Sequence, residues 1–315
     1  MAQRVCIIGG SGFVGRAIVR QAIRAEHHVT VACRHPEKAR SLITEGAHLV
    51  KVDLSDGRGL DDAIAGADCV INLVGLLFER GRYDFDTVHV HGTEHVLSAC
   101  KRHGVKQYLH MSALGAGKIP ASSYSRSKGD AEGYVRQSDM AWTLIRPSII
   151  YGAGDSFFTK FKDISAMLPV LPVIQPKTRF QPIWIEDVAR VFVQSIGNRH
   201  VHKKTYELAG PKTYTFMELM TLLMATLQRK RLLFSVPNIL AKLLVTVSRL
   251  LPTPLLTADQ LLLLQHDNVV EGECFPSQFG QPASLEAILP SYISGNQIER
   301  LQEQLDSSRT RYRKH

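Results

Sequence analysis

The chain contains no Cys-x-x-Cys pair, no internal repeat, and no uncharged apolar run near the ~20 residues that a bilayer span requires. Its five cysteines are Cys6, Cys33, Cys69, Cys100 and Cys274, and the first three fall in apolar runs that read as buried strands. That distribution argues against a disulfide framework or a thiolate zinc site and predicts reduced thiols in a cytoplasmic compartment. No secretory signal is read, because Arg4-Val5-Cys6-Ile7-Ile8 runs straight into a glycine turn. A soluble or peripheral protein is therefore expected. Nucleic-acid motifs are missing too. The basic tail Arg309-Thr310-Arg311-Tyr312-Arg313-Lys314 carries one aromatic, where a stacking surface would interleave several.

What is present is an ordinary globular balance. The 315 residues are 44% hydrophobic and 21% charged, enough to bury one large domain, or a domain plus a smaller lobe. The formal charge of +9 suits nucleic acid, an anionic membrane surface or an anionic cofactor, and by itself does not choose among them.

Short apolar runs alternate with amphipathic stretches over the first two-thirds. Strands are expected at Val5–Ile8, Val29–Cys33, Leu49–Val52, Cys69–Leu73, Gln107–Met111 and Trp142–Ile145, with a later one at Thr205–Leu208. Helices fit at Gly12–Ala25, Pro36–Thr44, Leu60–Ala65, Thr87–His103, Lys128–Gln137 and Glu186–Ile196. Continuous apolar strands separated by helices predict an α/β fold: a doubly wound parallel sheet of Rossmann type. Pro169, Pro172, Pro176 and Pro182 predict an irregular, lid-like stretch within 151–185. Residues 1–215 are read as the nucleotide-binding domain with its lid, and 216–315 as a smaller, mainly helical lobe with the basic tail.

Gly9-Gly10-Ser11-Gly12-Phe13-Val14-Gly15 has the spacing G-x-x-G-x-x-G between a strand and a helix. In that context Gly9 makes the tight turn, Gly12 admits a pyrophosphate and Gly15 lets helix and sheet pack closely, with the helix N-terminus facing the phosphates. A nicotinamide dinucleotide is the expected ligand. Where an NAD site places an acidic residue after the second strand, this chain has Arg34, with Lys38 nearby. An arginine fork suits a 2′-phosphate, so NADP(H) is favoured over NAD(H). Asp53 and Leu54 are expected at the adenine edge, and Asn72, Leu73, Val74 and Gly75 along the cofactor, all at carboxyl ends of strands.

Together with Tyr124-x-x-x-Lys128, Arg146-Pro147 and Trp184-Ile185-Glu186-Asp187-Val188-Ala189, these motifs resemble the extended or atypical short-chain dehydrogenase/reductase superfamily. The resemblance implies that Lys128 holds the nicotinamide ribose and lowers the pKa of Tyr124. Tyr124 would exchange a proton with a substrate carbonyl or hydroxyl, and Ser112 would polarise the same oxygen. It also implies cofactor contacts from Pro147 and Ile150. Met111–Ala116, Arg146–Gly152, Leu255-Leu256-Thr257-Ala258-Asp259-Gln260 and Asp267-Asn268-Val269-Val270 resemble one subgroup, which includes the NADPH-binding accessory subunit of respiratory complex I and its bacterial relatives. Two functions follow from that likeness. One is an NADP(H)-dependent oxidoreductase acting on a quinone or another apolar carbonyl. The other is a nucleotide-bound, non-catalytic structural or assembly factor for a respiratory complex.

His89, His91 and His95 fall on the helix that follows the fourth strand in this superfamily, where asparagines are common, so no metal is expected. The apolar stretch 236–251, with Lys242 and Arg249 seven apart, fits either an interfacial helix or packing on its own domain. The former would place the protein at the inner face of the cytoplasmic membrane.

Overall fold

A computed structural model describes residues 1–237 and 256–294. The basic tail and the apolar stretch after Pro237 lie outside the described residues.

Seven parallel strands form the central sheet: β1 (Arg4–Ile8), β2 (His28–Cys33), β3 (His48–Lys51), β4 (Cys69–Asn72), β5 (Gln107–Met111), β6 (Ala141–Pro147) and the strand Lys204–Leu208. Their spatial order is Lys204–Leu208, β6, β5, β4, β1, β2, β3. The chain reverses its direction of travel across the sheet between β1 and β4, which opens a crevice at the carboxyl ends of those two strands. The helices are α1 (Phe13–Arg24), α2 (Ser41–Thr44), α3 (Leu60–Ile64), α4 (Gly92–Arg102), α5 (Ser123–Gln137), α6 (Phe157–Met167), α7 (Ile185–Ser195) and α8 (Phe216–Thr226). Two more cover Ala258–Leu263 and Leu285–Ile293.

Both faces of the sheet are buried, and this explains the unbroken apolar strands. Val5, Ile7, Ile71, Leu109 and Ile145 point into a core shared with α1 and α7. Their neighbours Cys6, Ile8, Val70, Tyr108 and Leu144 point the other way, against α3, α4 and α5. Alternate residues of one strand thus serve two cores, so every position must be apolar. The expected doubly wound sheet is present. A third core joins Tyr151, Phe158, Leu171 and Phe180 to Phe216, Leu219 and Leu289, building the smaller lobe from chain on both sides of residue 215.

Three local expectations are corrected. The helix expected at Pro36–Thr44 is a 3-10 turn, Pro36–Lys38, followed by the single-turn α2. The prolines of 167–183 do not leave that chain irregular, since Val170–Ile174 pairs in parallel with Leu232–Val236. Most important, α5 begins at Ser123 rather than Lys128, with Ser122 Oγ accepting from the Ser125 amide as its N-cap. Tyr124 therefore stands in the first turn of that helix.

An ion pair fixes α5 to the sheet. The Glu132 side chain is 1% exposed and accepts two hydrogen bonds from Arg146 on β6, at 2.7 and 2.6 Å. Burial alone would raise its carboxyl, but Arg146 first, with Ser112 and Arg136 assisting, more than offsets this and holds it below the ordinary glutamate value. Glu132→Ala should cost about 3 kcal/mol by leaving the half-buried guanidinium without its main partner, read as a lower urea midpoint. Because the carboxyl is depressed in the folded state, its contribution is present above the unfolded-state value and fades as pH falls through the folded one.

Candidate functional site

The glycine turn leads from β1 into α1 at the crevice. Gly9 has φ +82°, a left-handed conformation that favours glycine. A Cβ on Gly15 would lie 2.3 Å from the Gly9 carbonyl oxygen, so this glycine lets the helix start directly over the turn. Gly12 is exposed at the tip and precedes α1 with no side-chain cap and no acidic residue in the first turn. The amides of Phe13, Val14 and Gly15 open the helix at a position suited to an anion, while the Val14 side chain is buried in the core. A pyrophosphate fits this cradle. A cleft of about 540 Å³ borders the turn on the side facing Gly154, Trp184 and Tyr292, and Ser11, Gly12, Phe13 and Arg16 line its near wall. This cleft does not reach Tyr124.

Beyond β2, Arg34 and Lys38 are exposed. Arg16, which the sequence reading passed over, braces the two loops by donating to Ser11 O, Ser41 Oγ and Lys38 O. The Arg34 guanidinium lies 4.6 Å from the centroid of the Tyr83 ring. Asp53 departs from its expected role. Its Oδ1 accepts from Ser55 N and Oγ, and its Oδ2 from Arg82 and the Tyr83 hydroxyl. A carboxylate offers about four acceptor positions. Adenine would have to displace one of these partners, and Asp53 serves as an anchor for the 80–83 loop. Leu54 is buried, with its carbonyl facing His95 Nδ1.

At the end of β4, Asn72 is turned inward. It donates to the Tyr108 hydroxyl at 3.0 Å and accepts from Val74 N, so it shapes the turn from beneath. Leu73 is core, and Val74 packs at the Gly9 side of the crevice. Gly75 is needed for a different approach: a Cβ there would lie 3.2 Å from Lys128 Nζ.

Tyr124 and Lys128 both lie on α5, one turn apart. Lys128 is buried and donates to Met111 O at 3.2 Å, which ties α5 to the end of β5 beside Ser112. Burial pulls its ammonium down to about 8, with Glu132 acting against that fall. Ser112 Oγ is buried with no well-formed hydrogen bond. The Tyr124 ring is flanked edge-on by Phe85 and His89, at 5.7 and 5.6 Å between centroids. Its hydroxyl is pushed up to about 12, first by burial and then by the Asp259 carboxylate. The direction is opposite to the one expected from Lys128, whose hydrogen bond goes to the backbone. Pro147 is buried at the end of β6 with its carbonyl accepting from Leu114 N, and Ile150 lies half-buried in the short strand that follows.

The three histidines separate. His89 accepts from Leu76 N at 2.8 Å through Nε2 and meets Ser127 Oγ at 2.9 Å through Nδ1, and burial pulls it down to about 2. It is a neutral clamp on the loop after β4. His91 pairs with Glu94 on the surface and His95 faces Leu54 O. His89 belongs to a π-helical turn, Asp86–His91, that the helical periodicity of the segment could not distinguish from α-helix.

The family described as NAD(P)H-binding matches residues 9–167. The chain is 25% identical over 272 residues to the mitochondrial NADH-ubiquinone oxidoreductase 40 kDa subunit of Neurospora crassa, covering 85% of this chain and 72% of that one. It is 33% identical over 193 residues to a ceramide reductase of Caulobacter vibrioides, covering 60% of this chain and 59% of the other. Its fold is that of a nucleoside-diphosphate-sugar epimerase from Staphylococcus aureus, with a TM-score of 0.73 at 19% identity, over 91% of this chain and 99% of that one. These likenesses bear out the family expected from the motifs.

An aspartate at position 12 separates the cradle from the fold. Gly12→Asp would itself cap α1, leaving stability within about 0.5 kcal/mol of native. Its carboxylate would repel a pyrophosphate, so dinucleotide binding followed by nicotinamide fluorescence should be lost while the thermal midpoint stays in place.

Proposed function

The chain belongs to the NAD(P)H-binding family, and from that premise we propose that it binds NADPH in preference to NADH and reduces a carbonyl acceptor. The observation that carries the reading is that Tyr124 and Lys128, one turn apart on α5, come together with Ser112 beside Met111 at the carboxyl end of β5. When bound, the reduced nicotinamide supplies a hydride. Tyr124 supplies the proton that completes conversion of the carbonyl to an alcohol, or of a quinone to a quinol. Ser112 donates to the same oxygen, and Lys128 holds the ribose. A tyrosine that keeps its proton up to about 12 is in its acid form at neutral pH, the form a proton donor starts from, and the cation at Lys128 is what would ease release of that proton.

The coenzyme preference rests on Arg34 and Lys38 after β2, with Glu37, the acidic residue there, turned to His35 at 3.0 Å. The acceptor class we favour is a quinone or another apolar carbonyl. An assignment to the inner face of the cytoplasmic membrane is supported by one exposed apolar face. Leu232 pairs in register with Val170, and these two and Phe234 are 67%, 41% and 50% exposed, beside exposed Met167 and Leu168.

A second reading has its own support. The relative from Neurospora is named as a subunit of NADH-ubiquinone oxidoreductase, which favours a nucleotide-bound structural or assembly factor of a respiratory complex. The two readings part at Tyr124. Fluorescence of the NADPH complex, followed after adding a short-chain quinone, should decay in the native protein and persist in Tyr124→Phe, with NADPH affinity unchanged. Stable fluorescence in the native protein across several carbonyl acceptors would leave the structural reading. Arg34→Ala should weaken NADPH binding about tenfold, the loss of a charge-assisted contact, and leave NADH binding little changed. Equal losses for both coenzymes would remove the assigned preference.

A further inference from the structure

The segment 256–270 reaches the N-terminus of α5 and is tied to the rest of the protein by Asp259, Gln260, Asp267 and Asn268. Thr257 and Gln260 form a capping box, which starts the Ala258–Leu263 helix and puts Asp259 in its first turn. Asp259 Oδ2 accepts from Ser122 Oγ at 2.9 Å and Oδ1 from Ser123 N at 2.7 Å. Gln260 Nε2 donates to Leu77 O, next to Leu76, whose amide His89 holds. Farther on, Asp267 pairs with Arg179 and Asn268 Oδ1 accepts from Ser148 Oγ at 2.6 Å.

Two helix N-termini meet at Asp259. Its carboxylate lies in the first turn of one and bonds to the N-cap and first residue of the other, a position that both helix dipoles favour. Tyr124 is the next residue after Ser123. We propose that Asp259 is a positioning residue for the proton donor: by gripping Ser122 and Ser123 it sets the first turn of α5, where Tyr124 stands. Its negative charge also opposes ionisation of that tyrosine. The inference rests on the reading of Tyr124 as proton donor. It gives a task to the Thr257-Ala258-Asp259-Gln260 motif, which has none in the dinucleotide site.

The other charged and titratable groups about Tyr124 pull differently. Lys128, one turn on, favours ionisation. His89, edge-on from the π-helical turn, is held neutral by burial. Arg126 on the same helix is 3.6 Å from Asp86. Asp259 is the carboxylate that bonds directly to the turn carrying the tyrosine.

The test uses the full chain with 3-fluorotyrosine at position 124, which ionises at lower pH than tyrosine, followed by 19F NMR without coenzyme. Asp259→Asn keeps one oxygen to accept from Ser123 N, presents an NH2 donor to Ser122 Oγ, and removes the charge. Its ionisation constant at position 124 should rise at least about threefold, with Asp259→Glu returning towards native. A purely structural role predicts native titration in Asp259→Asn, and that result would overturn the proposal. If Asp259→Asn does not fold, Asp259→Ala removes both bonds without turning a donor towards Ser123 N, and leaves the Ser122 cap on Ser125 N in place. Faster amide exchange at residues 123–125 and a displaced 19F resonance would then support the grip, and unchanged spectra would refute it. None of these readouts requires turnover, so a failed reductase assay would count against the proposed function alone.

Discussion

A single methyl group at residue 15 would undo the arrangement on which the site depends. It would stand 2.3 Å from the Gly9 carbonyl oxygen and 2.6 Å from the Gly10 Cα, so α1 could not start directly over the turn from β1. The contact sets where the first helical amides point. Since no side chain caps them, they face the crevice between β1 and β4 with their hydrogen-bonding capacity unspent. From the same origin α1 runs back along the sheet into the core it shares with α7. The anion cradle and the packing of one whole face of the domain therefore follow from one close approach.

The features read correctly from sequence are those whose cause is local. Two-sided burial makes a strand apolar at every position, so Cys6-Ile7-Ile8 and Cys69-Val70-Ile71 could be recognised without knowing their neighbours. The glycine turn is local as well. Features that depend on distant partners were missed. The first turn of α5, Ser123-Tyr124-Ser125-Arg126-Ser127, has no apolar periodicity, and the carboxylate at its start comes from 137 residues downstream of Ser122. Asp53 has the expected place, but Arg82 and Tyr83, in a loop with no pattern of its own, occupy it. The prolines of 167–183 suggested irregular chain because the partner strand, Leu232–Val236, enters some 60 residues later.

Burying Lys128, Glu132, His89 and His110 near one helix–strand interface is costly unless each finds a partner. The compensation is uneven. Glu132 has the Arg146 fork, and His89 has a hydrogen bond at each ring nitrogen. Lys128 has one backbone carbonyl, Ser112 Oγ turns to Glu132 without a hydrogen bond of good geometry, and His110 Nε2 has no partner among the described residues. The under-satisfied groups thus lie where α5 faces the end of β5, next to the glycine that leaves room for Lys128. A scaffold gains nothing from such a cluster. A site that receives the hydroxyls of a ribose and the oxygen of a carbonyl gains the donors that these groups need.

The protonation of this cluster depends on what the site holds. Without a ligand, burial draws Lys128 down to about 8 and pushes Tyr124 up to about 12. Each shift favours the neutral form, as expected for groups taken out of water with few partners. Ribose hydroxyls would give the Lys128 ammonium acceptors, and so favour the cation. A stable cation one turn from Tyr124 in turn eases loss of the phenolic proton. If Tyr124 is the proton donor, coenzyme binding and readiness for proton transfer would thereby be coupled along one helical turn. Asp259 would act on the same hydroxyl with the opposite sign, favouring the protonated phenol until the cation is in place.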